Sequence, residues 1–199
     1  MSDELFFTVE GRLMIYLRII TGLCAILLTA DAHAVAANVC GYRYCSGSNE
    51  KQCDHAKALV DKTYKAIQIK GCKAIINKIN WKELNDHGMY LFVGHAKPPY
   101  QVIANGFNRR IIGMTVDQRQ ILIRQNDCKN NACTLNLKKI ITKMAKTSQK
   151  KPCFISYPYF EKPFQGKLVN KVSYVRSFNC GTDEPFYIGA GFYPAVQKK

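Results

Sequence analysis

Cysteine and histidine are the residues in this chain whose types and spacing could carry chemistry: there are nine cysteines and four histidines in 199 residues. Cysteines at this density either ligate metal as thiolates or close disulfides, and their spacing separates the two. No Cys-x-x-Cys occurs, and zinc-ribbon and finger spacings are absent, so neither a metal nor a cofactor is expected. Eight cysteines lie beyond residue 34, at 40, 45, 53, 72, 128, 133, 153 and 180. An even number in an exported domain points to four disulfides. Cys153–Phe160 and Lys171–Cys180 are β-branched and aromatic runs joined by a segment containing Pro163 and Gly166. A hairpin centred between Gly166 and Lys167 would set Cys153 opposite Cys180, within disulfide reach. Cys128 and Cys133 bracket a polar turn they could close. Cys40, Cys45, Cys53 and Cys72 would then pair among themselves and fasten the N-terminal segment to the first helix.

General acid–base chemistry of the secreted-ribonuclease kind wants two histidines, or a histidine with a carboxylate. His55, His87 and His95 remain once a leader is removed, but His55 begins a helix and His87 sits in an Asn-Asp-His-Gly turn. No G-x-S-x-G, H-E-x-x-H or P-loop is present. The chain is expected not to be an enzyme, and a ribonuclease-like activity ranks third among its readings.

Lys and Arg outnumber Asp and Glu by 29 to 14, a net charge of +15. Residues 1–34 read as a secretory signal peptide: Arg12 and Arg18 precede an uncharged run from Ile19 to Ala30, and Ala32-His33-Ala34 follows as a cleavage site. Met14 is the cleaner start, because Asp3, Glu4 and Glu10 are acidic where such a segment is basic. Cleavage after Ala34 would leave 27 basic and 10 acidic residues, about +17, and no transmembrane anchor. A periplasmic or secreted location follows.

The elements that must position any site are legible in outline. Residues 35–49 read as a leader. From Glu50, Ala56, Leu59, Val60, Thr63, Tyr64 and Ile67 fall at helical spacing, and the stripe resumes after Gly71 at Ile75, Ile76 and Ile79. Met89–His95 and Tyr100–Ala104 form a hairpin around Lys97-Pro98-Pro99. Residues 105–134 read as irregular. A helix follows, on Leu135, Leu137, Ile140, Ile141 and Met144, and then come the two cysteine-bearing strands and a final strand, Phe186–Tyr193. This order is α+β: a long N-terminal helix packed on a five-stranded antiparallel sheet of PAS or profilin type, spanning 50–194, with 195–199 as a tail.

At the level of motifs, the chain resembles the extracytoplasmic single Cache domain, in a standalone exported form. Cys53-Asp-His-Ala-Lys-Ala-Leu-Val60 is similar to the start of that family's long helix, and Gly88-Met-Tyr-Leu-Phe-Val93 to its first strand. Val102-Ile-Ala-Asn105, Gly113 and Asp117 fall where the family has its second strand and the glycine and aspartate after it. Phe154-Ile-Ser-Tyr157, Lys171-Val-Ser-Tyr-Val175 and Tyr187-Ile-Gly-Ala-Gly-Phe-Tyr193 are similar to its last three strands. Gln120 departs from the pattern, standing where a glycine is common, and so do the cysteines and the basicity.

The resemblance implies binding of a small organic ligand, a carboxylate or an amino acid, with signalling through a membrane-bound partner protein. It directs attention to Tyr157, Tyr174 and Lys171, then Arg176 and Arg109, as ligand-binding residues. By strand alternation Tyr174, Arg176 and Phe178 share one face of their strand, while Lys171, Ser173 and Val175 share the other. Arginine can grip a carboxylate bidentately, and Tyr157, Tyr159 and Tyr174 offer hydroxyls on apolar rings. The alternative is a basic module that binds polyanions on envelope or host surfaces, through lysines 138, 139, 143, 146, 150 and 151. That segment has no interleaved aromatics, so nucleic acid is not expected as a partner.

Overall fold

The computed structural model describes residues 42–86, 88–126, 135–160, 168–181 and 183–194. The expected signal peptide at 1–34, Cys40, His87, the segment from Cys128 to Cys133, the 161–167 connection and residues 195–199 lie outside the described residues.

Helix α1, Glu50–Lys70, buries Cys53, Ala56, Val60, Thr63 and Ile67 at three- and four-residue steps. Gly71 ends it with φ of 80°, a conformation that suits glycine, and its N–H bonds back to Ile67 O at 3.0 Å. Helix α2, Cys72–Asn80, continues the apolar face with Ile75 and Ile79. Strands β1, Leu91–His95, and β2, Val102–Asn105, form the expected hairpin.

Residues 105–134 are not all irregular: Val116–Asn126 is helix α3. Its start is a capping box, in which the Thr115 hydroxyl accepts from Gln118 N–H at 3.3 Å and the Gln118 side chain accepts from Thr115 N–H at 2.8 Å. Helix α4, Leu137–Lys150, is capped by Asn136, whose side chain accepts from Lys139 N–H at 2.9 Å. Gln120 of α3 accepts from Leu137 N–H and donates to Leu135 O, so the residue that departs from the motif pattern joins the two helices.

Strands β3, Cys153–Phe160, β4, Leu168–Asn179, and β5, Pro185–Phe192, complete a five-stranded antiparallel sheet in the order β2-β1-β5-β4-β3. The first and last strands of the chain are thus neighbours in the sheet interior. Both faces are covered. Helices α1 and α2 enclose a core with Leu91, Phe154, Tyr174 and Ile188, while α3 and α4 enclose a second with Ile155, Val175 and Tyr187.

The β3–β4 register corrects the expected disulfide. Cys153 stands opposite Val175, five residues short of Cys180. An odd displacement reverses the face, because side chains alternate along a strand. Cys180 is therefore aimed at the side of α2 and is bonded to Cys72, which opens that helix. Cys72 consequently does not pair within the N-terminal group, although Cys45 and Cys53 do bond to each other. That bond fastens the turns at Tyr42–Tyr44 and Gly47–Asn49 to α1.

Candidate functional site

The α3/α4 face of the sheet carries a small cavity, and Lys171 is its charged centre. Lys171 lies on β4 with Ser173 and Val175, the face opposite Tyr174. It is only 2% exposed, and its Nζ donates to Tyr90 Oη at 2.7 Å. Four aromatic rings surround the ammonium: Tyr90 at 4.3 Å, Tyr193 at 5.3 Å, Tyr159 at 5.5 Å and Phe92 at 5.9 Å. Such rings offer their negative faces to a cation and partly replace its hydration.

Arg119 reaches the same cavity from α3. It is 8% exposed, and its Nη2 lies 3.4 Å from Tyr159 Oη. Tyr157 lines the wall and shares a 2.9 Å hydrogen bond with Ser173 Oγ. Helix α4 closes the space with Leu137, Ile140, Ile141 and Met144, all apolar. Among the described residues no Asp or Glu lines the cavity, and none pairs with Lys171 or Arg119.

Burial sets the protonation states. Desolvation lowers the Lys171 pKa from 10.5 to about 8, with Tyr159 opposing the shift and Arg119 adding to it. The same desolvation raises Tyr90 and Tyr187 to about 12 and pushes Tyr157 well above 10, so the phenols stay protonated and can donate. The cavity leaves about 40 Å³ for the centres of water-sized molecules. At ~10–15 Å³ per water, that is room for about three waters, or a guest of about three to five heavy atoms.

Of the residues singled out from sequence, the structure brings Lys171, Tyr157 and Tyr159 together here. The others are elsewhere. Tyr174 is buried on the α1 side against Phe154. Arg176 donates to Asp61 Oδ1 at 2.8 Å and lies 3.6 Å above the Tyr64 ring. Arg109 stacks 4.0 Å over Trp81, which is exposed. Arg119, Tyr90, Tyr187 and Tyr193 were not singled out. For Arg119 the signal was the Thr115-x-x-Gln118 capping box, which marks a helix start and so makes a face that Arg119 could share. His55 and His95 each stand by a carboxylate, Asp86 at 3.0 Å and Glu184 at 3.6 Å, and neither lines the cavity.

Among the described residues no helix is long and apolar enough to cross a membrane. Two solved structures match the chain. One is described as a methyl-accepting chemotaxis protein from Vibrio parahaemolyticus RIMD 2210633, 16% identical, with a TM-score of 0.49, over 72% of this chain and 89% of that one. The other is described as the periplasmic sensor domain of a chemotaxis protein, 17% identical, with a TM-score of 0.47, over 73% and 92%. The chain is structurally similar to both of these chemotaxis-protein structures. No protein-family model and no curated protein matches.

Proposed function

We propose that this chain is an exported sensor domain that binds a small carboxylate in the Lys171–Arg119 cavity and passes the signal to a partner protein. One observation carries the reading: two buried cations share a cavity with protonated phenols and, among the described residues, no carboxylate. Buried charge without a counterion is costly, and a small anion would supply the missing charge. Its oxygens would meet Lys171, Arg119 and tyrosine hydroxyls, while the apolar α4 side chains would take a short carbon chain. The groups suit holding an anion rather than transforming it. The two disulfides support an oxidising compartment.

The test is a thermal-shift series on the oxidised protein against formate, acetate, propionate and amino acids. A ligand at ~100 times its dissociation constant adds ~2.7 kcal/mol, a shift of several degrees at this size. A shift with a short carboxylate that is lost in Lys171→Met supports the reading. No shift with any small anion overturns it.

A second reading has its own observation. Lys139, Lys143, Lys146 and Lys150 are exposed in one stripe along α4, which has no acidic residue. That stripe suits a polyanion such as a sulfated or phosphorylated polymer. Heparin retention that collapses in modest salt and is lost on reversing those lysines, but not in Lys171→Met, would favour it.

A further inference from the structure

The Lys171–Arg119 cavity suits covalent chemistry as well as charge recognition. A lysine amine is a nucleophile only when neutral, and Lys171 is buried where the ammonium is disfavoured. Arg119 stands on the same cavity as a second cation. Condensation with an aldehyde would leave a neutral imine and Arg119 still without a counterion among the described residues. Addition to carbon dioxide would instead convert the lysine into an anion beside Arg119. Two neighbouring cations would become an ion pair.

We infer that Lys171 is a carbon dioxide site, its amine adding CO2 to give a carbamate held by Arg119 and the surrounding tyrosine hydroxyls. The step balances without an oxidant or reductant. The Nζ lone pair attacks the carbon, an N–C bond forms, and one C=O π pair moves onto oxygen. The proton leaving Nζ goes to water or buffer. The guest has three heavy atoms, within the room for about three waters that ~40 Å³ provides. Tyr90, bonded to Nζ, and Tyr187 stay protonated at neutral pH and can donate to the new carboxylate.

The groups that face Lys171 set its pH response. They are Tyr90 ahead of β1, Tyr157 and Tyr159 on β3, Tyr187 on β5, Tyr193 beyond it and Arg119 on α3, while α4 presents only apolar side chains. None is acidic, so nothing among them restores the ammonium. At pH 7.5, about a quarter of an amine with a pKa of about 8 is neutral, on the order of a hundredfold more than for an exposed lysine.

The inference uses the same cavity as the proposed function but does not need the carboxylate reading. A carbamate and a free carboxylate would occupy one place, so each should exclude the other.

The experiment equilibrates the oxidised full chain with 13C-labelled CO2 at fixed pressure and pH 8, traps carbamates with a trialkyloxonium salt, and maps peptides by mass spectrometry. The expected result is labelled carboxyl on Lys171 at least tenfold above exposed Lys139 or Lys143, falling by well over tenfold at pH 6.5, because acid both protonates the amine and opposes release of the second proton on carbamate formation. Arg119→Gln should lower the trapped fraction severalfold, and the wild-type map stands if that variant does not fold. Labelling of Lys171 no greater than that of the exposed lysines overturns the inference. Thermal shifts with acetate in CO2-free buffer test the carboxylate reading separately, so either can fail alone.

Discussion

Tyr157 and Lys171 stand directly opposite each other on β3 and β4, and both side chains line the buried cationic cavity. Cross-strand partners point to the same face, so this pairing fixes which side of the sheet the cavity occupies. Neither hydrogen bonds to the other: Tyr157 is held by Ser173 and Lys171 by Tyr90. Each is thus oriented by a second residue that keeps its polar end aimed into the cavity.

The first prediction concerns pH. The folded-state pKa of Lys171 is about 8 and its ordinary value 10.5, so between these the unfolded chain binds more protons than the folded one. Stability from this group therefore rises with pH across 8–10.5, by about 3 kcal/mol in all, and the penalty is fully present below pH 8. Lys171→Met removes the penalty. Its melting temperature should exceed wild type by several degrees at pH 7, and the gap should close by pH 10. Denaturant unfolding of both proteins across that range checks it.

A bound carboxylate stabilises the ammonium, so the second prediction runs the other way in pH. Affinity for a short carboxylate should fall as pH rises through about 8, approaching tenfold per unit well above it. Calorimetric titration with acetate at pH 6.5, 8 and 9.5 measures this. Affinity that is flat across the series would remove Lys171 from the binding site.

The third prediction separates the two faces of the sheet. Burial would raise Asp61, but hydrogen bonds from Lys57 and Arg176 outweigh it and hold the carboxyl below its usual 3.8. That interaction stabilises the fold above pH 4 and is lost as pH falls further. Arg176→Met should cost about 1–3 kcal/mol at pH 7, through the charged hydrogen bond and the contact with Tyr64. The cost should shrink below pH 4. Small-anion binding should not change, because Arg176 faces α1.

The disulfides give the fourth. Cys72–Cys180 closes a loop of 108 residues and Cys45–Cys53 one of 8. Loop-closure entropy assigns them about 5 and about 2.5 kcal/mol respectively. Replacing Cys72 and Cys180 by serine should therefore lower the melting temperature about twice as far as replacing Cys45 and Cys53.

Much of this was legible in the sequence, for physical reasons that differ by element. The periodicity of the α1 stripe and the β-branched and aromatic composition of the Cys153–Phe160 run are clear enough that the observed starts of α1 and β3 coincide with those expected. Strand alternation also separated Lys171 from Tyr174 and Arg176, which means that no single pocket on the sheet could hold all three. The β3–β4 register was not legible, because the connection's length does not fix its centre, and a slip by an odd number of residues moved Cys180 to Cys72. Helix α3 was hidden because its apolar residues fall at Val116, Ile121, Leu122 and Ile123 rather than in a helical stripe. Arg119 was hidden with it.

The last prediction concerns the shape of the cavity. A methyl group on Gly94 would fall 2.6 Å from Tyr187 Oη and 2.8 Å from its Cζ, closer than side-chain atoms pack. Tyr187 is 2% exposed and lines the cavity edge-on to Phe92, so a shift of its ring would alter the space that Lys171 and Arg119 share. Overpacking of this kind costs about 1–3 kcal/mol. Gly94→Ala should accordingly be destabilised by about that amount and should bind a short carboxylate at least tenfold more weakly. Gly113→Ala, at a φ of 83° with open space around it, should lose stability through backbone strain alone. If both variants keep wild-type affinity, the ligand lies away from Tyr187; if only Gly94→Ala loses it, the space between Tyr187, Lys171 and Arg119 is the binding site.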